Sequence, residues 1–189
     1  MKNARLITPD SLERIIQALA DHKVVIMPCD TIYGIVGTVP ETYTRIADLK
    51  KRKEKNFLQL IPGPDISPYS PDSLPDKLKQ FWPAPLTVIV HDYHGGTVAL
   101  RYPDDPFLQK ILTALGRPLY STSVNISGEP PLNTVAEIAG VFGCSVEMIV
   151  DGGSLEKKAP STIVDLTRDR PVIVREGAVD SETVLGLFD

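Results

Sequence analysis

Four short polar clusters interrupt the apolar runs of this chain, and their residue types suit the binding of a charged, hydroxyl-bearing ligand. They are "PCDTIYG" (28–34), "RYP" (101–103), "STSVNISG" (121–128) and "PSTIVD" (160–165). Each adjoins a run rich in β-branched residues, so we expect each to lie at a strand end. A sheet that ends several strands in one crevice builds a binding site from residues remote in sequence. For any single cluster the alternative is turn chemistry, because Ser, Thr, Asn and Asp also bind nearby backbone groups.

The densest cluster is "STSVNISG", in which Ser123, Asn125 and Ser127 offer donors and acceptors to a nucleobase, a ribose or phosphate oxygens. Gly128 permits a tight bend after them. The sequence contains neither a Walker loop nor a glycine-rich dinucleotide fingerprint, and it lacks the G-x-S-x-G elbow of many serine hydrolases. A nucleotide would therefore be bound by a different architecture.

Two groups of cations are candidates for binding an anion. The run "LKKRKEK" ends a predicted helix, and Lys50 and Arg52 in it would offer a point charge and a planar fork to phosphate oxygens. A solvated helix end, where the helix dipole favours cations, is the alternative. Arg101 follows an apolar strand and would be costly there without a partner. A substrate carboxylate or phosphate would supply that partner, and so would an internal Asp.

Composition limits the possible classes of function. The chain has 189 residues and a net charge of −4, which argues against a protein whose whole surface tracks nucleic acid. Its length favours a single domain over residues 1–189. Cys29 and Cys144 lie far apart without metal-ligand spacing, so we predict no protein-held metal site and expect both thiols to be buried and reduced. The sequence has no membrane-length apolar run and no secretory signal, so we expect a cytoplasmic protein.

The pattern of apolar residues predicts an α/β protein. Helical spacing predicts helices near 8–23, 40–53, 76–82, 105–116 and 133–143, the first with Asp10 as its cap, and "SETVLGLF" is a further short candidate. Strand-like runs include "KVVIMP", "IYGIVGTV", "NFLQLI", "PLTVIVHD", "TVALRYP", "RPLYSTS", "SVEMIVDGG", "STIVDLT" and "PVIVREG". Helices and strands alternate early and strands cluster later, so we predict a twisted mixed sheet flanked by helices.

With these segments assembled, the chain resembles the YrdC-like family of L-threonylcarbamoyladenylate synthases, in its short, single-domain form. The matching segments run in order from about residue 8 to about residue 180, and the "STSVNISG" segment is the most specific of them. The resemblance implies a YrdC-like fold and a nucleotidyltransferase activity that joins L-threonine, bicarbonate and ATP, with Mg²⁺, into threonylcarbamoyl-adenylate and releases pyrophosphate. A separate transferase then uses that product to modify tRNA, so the synthase itself needs at most weak tRNA binding.

The resemblance also implies roles for individual residues. Lys50 and Arg52 match the family's K-x-R pattern and would meet the ATP phosphates as the catalytic pair. Nucleotide contacts are implied for the S-x-N pattern and its neighbours, and threonine contacts for a second set. The nucleotide set is Lys50, Arg52, Ser121, Thr122, Ser123, Asn125 and Arg175, and the threonine set is Thr31, Tyr33, Arg101 and Ser161.

Two other functions remain open from the sequence. One is a paralogue of the same fold that uses another substrate, and a test of threonine dependence separates it from the synthase. The chain also departs from the family's common pattern, with Cys29 where Thr is frequent and Val124 where Ala is frequent. The other function is a non-catalytic RNA-binding module that uses "KKRKEK" as its contact. That module predicts salt-sensitive RNA binding without ATP.

Overall fold

The computed structural model describes residues 4–51, 56–155 and 159–188. Within these ranges the chain forms ten strands and six helices. The strands are β1 (Arg5–Ile7), β2 (Val25–Pro28), β3 (Tyr33–Thr38), β4 (Leu58–Leu60), β5 (Leu86–His91), β6 (Thr97–Arg101), β7 (Leu119–Ser123), β8 (Met148–Val150), β9 (Thr162–Asp165) and β10 (Val172–Arg175). The helices are α1 (Leu12–Ala20), α2 (Tyr43–Lys50), α3 (Asp76–Phe81), α4 (Pro106–Leu115), α5 (Val135–Phe142) and α6 (Ser181–Leu185).

The ten described strands form one mixed sheet in the order β1-β8-β2-β3-β7-β4-β6-β5-β9-β10. Four of the nine neighbouring pairs are parallel, namely β1/β8, β2/β8, β4/β6 and β5/β9, and the other five are antiparallel. The predicted mixed sheet with flanking helices is therefore confirmed.

Helices cover both faces of the half of the sheet that contains β2, β3, β7 and β8. On one face, Ile15 and Leu19 of α1 and Ile111 of α4 belong to the same apolar cluster as strand residues such as Val36. On the other face, α2 and α5 contribute to a second cluster that contains Ile35. Burial of these aliphatic side chains, at about 25 cal/mol per Å² of apolar surface, stabilises this half.

In the other half of the sheet, which contains β5 and β6, one face packs into an apolar cluster and the opposite face is open. On one face, Val88 and Leu100 join the apolar cluster formed with α3, α6 and the loop between β4 and α3. The alternate residues of the same strands point to the opposite face, because successive side chains of a strand alternate. Those residues, which include Thr87, Ala99 and Arg101, line an open cavity instead of packing into that cluster.

Two expectations from the sequence are wrong, and one strand was not predicted. α1 begins after Ser11 rather than Asp10, and the Ser11 side chain makes no capping hydrogen bond. The sequence did not predict β1, because three residues carry too little pattern. β1 is a strand through its parallel pairing with β8, in which Ile7 lies opposite Val150. Cys29 is buried as expected, but Cys144 is exposed. Among the residues that the structure describes, none of the helices is long and apolar enough to cross a membrane.

Candidate active site

The four polar clusters converge on one cavity of about 400 Å³, which is lined by residues of β3, β4, β5, β6, β7, β9 and β10 and of the adjoining loops. Eight of the eleven residues predicted to bind substrates line this cavity: Thr31, Tyr33, Arg101, Ser121, Thr122, Ser123, Ser161 and Arg175. Lys50 and Asn125 do not line the cavity but bond to Ser123, which does. Arg52 lies outside the described residues.

The predicted K-x-R and S-x-N segments meet through the Lys50 side chain. Lys50 is 2% exposed, and its ammonium donates to the Ser123 carbonyl oxygen at 2.7 Å and to Asn125 Oδ1. The Ser123 hydroxyl donates to the same Asn125 oxygen at 2.7 Å. Hydrogen bonds from a charged donor are the stronger kind, so the buried ammonium fixes the end of β7 and the loop after it.

Backbone contacts hold this loop from the other side. The Ser127 N–H donates to the Lys50 carbonyl oxygen at 3.0 Å, at the end of α2. Asn125 Nδ2 donates to the Glu129 carbonyl oxygen, and the Leu132 N–H donates to Val124 O at 2.8 Å. The "STSVNISG" segment is therefore a fixed platform whose Ser121 and Ser123 face the cavity.

Arg101 is paired with an internal acid, one of the two kinds of partner that its sequence context predicts. An Arg101 Nη2–Asp30 Oδ1 distance of 2.9 Å joins the two side chains, each of which is 4% exposed. Burial raises the pKa of Asp30 above its ordinary value, and the neighbouring Arg101 charge opposes that rise. The threonine contact implied for Arg101 stays a prediction.

Cys29 lines the cavity beside this pair. Burial raises the pKa of its thiol to about 12, and the negative charge of Asp30 adds to the effect. The thiol is therefore protonated and unreactive at neutral pH. Gly34 of β3 packs closely against it, because a Cβ built on Gly34 would lie 2.7 Å from Cys29 Sγ and 3.2 Å from Ser121 Oγ.

A second cation lies on the opposite wall. The Arg175 guanidinium donates to the Ser161 carbonyl oxygen at 2.7 Å and 3.2 Å, and within the described ranges it forms no salt bridge. Burial lowers the pKa of Arg175, and the positive charge of Arg101 lowers it further. The Ser161 hydroxyl also shares a hydrogen bond of 2.9 Å with Thr87 Oγ1. This wall thus combines a cation with a buried hydroxyl pair.

Tyr33 contributes to the cavity wall, and its hydroxyl forms hydrogen bonds with the backbone. It donates to the Gly153 carbonyl oxygen at 2.7 Å and accepts from the Gly152 N–H at 2.9 Å. These bonds tie β3 to the segment after β8, and the Tyr33 side chain is fully buried. The contact with threonine implied for Tyr33 stays a prediction, and the hydroxyl could donate to threonine only by giving up the bond to Gly153.

Sequence reasoning did not single out Asp30 and Thr87. Asp30 sits inside the quoted "PCDTIYG" cluster, and the general expectation that a buried Arg needs an acid was the only signal for it. Thr87 lies within an apolar strand-like run, where the alternation of "LTVIV" places it on the face opposite Val88.

The arrangement as a whole suits a ligand with more than one negative group. Two guanidinium groups and several hydroxyls face one cavity, and guanidinium binds carboxylate or phosphate with paired hydrogen bonds. Among the described residues, no group of three or more His, Cys, Asp or Glu side chains is placed to hold a metal ion.

Comparisons with known proteins identify the family. The model of the Sua5/YciO/YrdC family, whose description reads "Telomere recombination", matches residues 17–177. A Vibrio parahaemolyticus protein named threonylcarbamoyl-AMP synthase is 31% identical over 89% of this chain and 100% of its own length. The E. coli YciO structure has a TM-score of 0.81 at 25% identity, covering 95% of this chain and 98% of that one.

A further structure supports the fold alone. P. abyssi Sua5, solved in complex with L-threonine, has a TM-score of 0.86 at 24% identity. The match covers 97% of this chain but 61% of that one, so the archaeal protein has additional residues. The fold, the family match over 17–177 and the full-length relative agree, and this chain belongs to the Sua5/YciO/YrdC family.

Proposed function

We infer that this chain is an L-threonylcarbamoyladenylate synthase, a nucleotidyltransferase that condenses L-threonine, bicarbonate and ATP and releases pyrophosphate. The observation that carries the proposal is the cavity that brings Arg101, Arg175 and the "STSVNISG" segment together in a chain of this family. A relative that matches along its whole length bears the name of this activity.

The proposed reaction has two steps. The threonine amine adds to the carbon of bicarbonate, from which water leaves, or to carbon dioxide with release of the amine proton, and either route gives a carbamate. A carbamate oxygen then attacks the α-phosphorus of ATP in line, and pyrophosphate leaves. The barrier is lowered chiefly by positioning three substrates in one cavity and by stabilising negative charge on the phosphates.

The chain's own residues supply these two effects in the proposal. Ser121, Thr122, Ser123 and Asn125 bind the nucleotide, with Arg175 near its phosphates. Lys50 and Arg52 offset phosphate charge, and Lys50 also holds the nucleotide platform in place. Arg101, Thr31, Tyr33 and Ser161 surround threonine.

Magnesium would arrive as part of the substrate, bound to the ATP phosphates. Mg²⁺ is commonly held by substrate phosphates and water with few protein ligands. The proposal extends to a downstream transferase that uses the adenylate to modify tRNA, to one YrdC-like domain over residues 1–189, and to a cytoplasmic location where ATP and tRNA are available.

A second candidate is a paralogue that binds another substrate in the same cavity. Two observations favour it. Arg101 is already paired with Asp30, and the Tyr33 hydroxyl is already bonded to Gly152 and Gly153. Two of the side chains expected to contact threonine therefore have protein partners.

The deciding experiment is pyrophosphate release from MgATP and bicarbonate, with and without L-threonine. Serine serves as the substrate control, and Lys50→Ala as the inactive enzyme. Release that requires both threonine and bicarbonate and disappears in the variant supports the synthase. A folded protein that binds ATP but releases no pyrophosphate under any of these conditions would favour the paralogue.

A further inference from the structure

We propose that Asp30 is a positioning residue of this cavity, which acts by holding the Arg101 guanidinium beside the loop that carries Thr31. Asp30 does not line the cavity, so it acts through its neighbours rather than on the ligand. The proposal rests on the proposed function in one respect, since it takes the bound ligand to be L-threonine.

The pair links two distant parts of the sheet. Asp30 belongs to the loop between β2 and β3, and Arg101 is the last residue of β6. In the strand order, β3, β7 and β4 lie between β2 and β6. The contact at 2.9 Å therefore sets the separation between Arg101 and Thr31, the residue that follows Asp30.

Charge rather than hydrogen bonding holds the pair together. Among the described residues, the two Asp30 oxygens and the Arg101 Nε are buried and make no hydrogen bond of good geometry. The backbone N–H groups of Asp30 and Thr31 lie close enough to the carboxylate to lower its pKa, but they do not bind Arg101. The short distance between Nη2 and Oδ1 is thus a charge contact without good hydrogen-bond alignment. Buried polar atoms without partners are uncommon and costly, and such a pair contributes little to stability by itself. We therefore assign the Asp30–Arg101 pair a role in positioning the Arg101 guanidinium at the cavity rather than in stabilising the fold.

Two positive and two negative side chains lie in and beside the cavity, and only one of the cations is directly paired with an acid among the described residues. Asp105, at the start of α4, acts on Asp30 as a second negative charge. Across the cavity, Arg175 carries no carboxylate partner in the described ranges, and it still experiences the positive charge of Arg101. Asp30 therefore orients Arg101 and offsets part of its charge, while Arg175 keeps its full attraction for a ligand anion.

The test is a calorimetric titration of L-threonine and, separately, of ATP into four proteins. These are the parent, Asp30→Asn, Arg101→Gln and the double variant. Asp30→Asn keeps the size of the side chain but removes its charge. We expect it to raise the threonine Kd about tenfold and to leave the ATP Kd within about twofold. In the Arg101→Gln background the same change should have no further effect on threonine, because the interaction is already lost.

The matched control is Asp165→Asn. Asp165 is also a buried acid paired with an arginine at 3.1 Å, although that arginine, Arg168, is largely exposed. Asp165 lies at the end of β9 and does not line the cavity. Its threonine Kd should equal that of the parent. Asp30→Glu, which keeps the charge on a longer side chain, should raise the threonine Kd less than Asp30→Asn does. If Asp30→Asn fails to fold, a threonine Kd for Asp30→Glu above that of the parent, with an unchanged ATP Kd, tests the position of Arg101 instead.

An unchanged or lowered threonine Kd in Asp30→Asn would overturn the proposal, and so would an equal loss of threonine and ATP binding. Additive effects in the double variant would also overturn it, since Asp30 would then act independently of Arg101. The proposed function is judged separately, by turnover. A parent protein that binds threonine but releases no pyrophosphate contradicts the synthase and leaves the binding comparison valid.

Discussion

The Lys50 ammonium lies 2.7 Å from the Ser123 carbonyl oxygen, although 73 positions separate the two residues in the chain. This contact joins the end of α2 to the end of β7. It also means that Lys50 has a structural task beside the phosphate contact proposed for it. A loss of Lys50 should therefore affect both the order of the nucleotide platform and the reaction.

Replacing Lys50 by Met removes this charge but keeps an aliphatic side chain. We expect adenylate formation to fall by about two to three orders of magnitude, by analogy with the loss of a charge-stabilising donor. Amide hydrogens of residues 123–129 should exchange faster, because their anchor is gone. The control is Lys51→Met, which alters an exposed neighbour. Pyrophosphate release within tenfold of the parent would contradict the assigned role.

Gly34→Ala tests the close packing beneath the cavity. A Cβ at this position would lie 2.7 Å from Cys29 Sγ, so the variant should be destabilised by about 1–3 kcal/mol and lose activity. Urea unfolding measures the first effect and pyrophosphate release the second. Cys29→Ala in the same chain should restore much of the loss by making room. Gly63→Ala is the control, since no atom lies within 4 Å of the added Cβ. Equal stability of Gly34→Ala and the control would refute the packing argument.

Thr162→Val tests the support behind the Arg175 wall. The Thr162 hydroxyl accepts from the Gly177 N–H at 2.9 Å and the Val179 N–H at 3.1 Å, and it donates to the Val179 carbonyl oxygen. Valine has nearly the same shape but leaves these buried groups without partners, at a cost of about 1–3 kcal/mol. Thr97→Val, at an exposed strand position, should leave the free energy of unfolding nearly unchanged. Equal thermal unfolding midpoints for the parent and Thr162→Val would contradict the stabilising role of these three hydrogen bonds.

The dependence of stability on pH should reflect the acids at helix starts. Hydrogen bonds from Thr134 lower the pKa of Glu137, and those from Thr183 lower the pKa of Asp180. Folding therefore favours their charged forms, and this contribution is present above their unfolded pKa and lost as the pH falls through the lowered values. The raised pKa of Asp30 acts in the opposite direction, since its contribution is greatest at low pH and is lost as the pH rises through the raised value.

Urea unfolding between about pH 6 and pH 3, where carboxylates titrate, measures this dependence. The parent should lose stability as the pH falls, and Glu137→Gln and Asp180→Asn should each lose less over the same interval. The double variant should show the shallowest curve. Parallel curves for parent and variants would exclude these two acids as the source of the slope.

Local sequence pattern was sufficient to predict most elements of the fold. The spacing of Leu12, Ile15 and Leu19 predicted α1, and its apolar face is indeed buried. The position of the cap was wrong by one residue, because Ser11 and Asp10 are both good capping types. β1 was missed for a different reason. Three residues carry too little pattern, and only the parallel partner β8 makes them a strand.

The polar clusters indicated which segments meet, but not how individual side chains are used. Their placement at strand ends follows from runs of β-branched residues, which are local in sequence. The partners of Tyr33 are 119 and 120 positions away, and no local signal points to them. No local signal predicts the hydrogen bonds of Lys50 to Ser123 and Asn125 either, nor the ion pair of Arg101 with Asp30. Such pairings depend on the register of strands that are distant in the chain.

The two faces of β5 and β6 have consequences for how this protein can change. Val88 and Leu100 pack into an apolar cluster, whereas Thr87, Ala99 and Arg101 on the same strands face the cavity. Substitutions along these strands should consequently alternate in their effect, with folding impaired at one position and ligand preference altered at the next. A lineage of such proteins could therefore acquire a new substrate through single replacements on the open face, while the hydrophobic support beneath it stays intact.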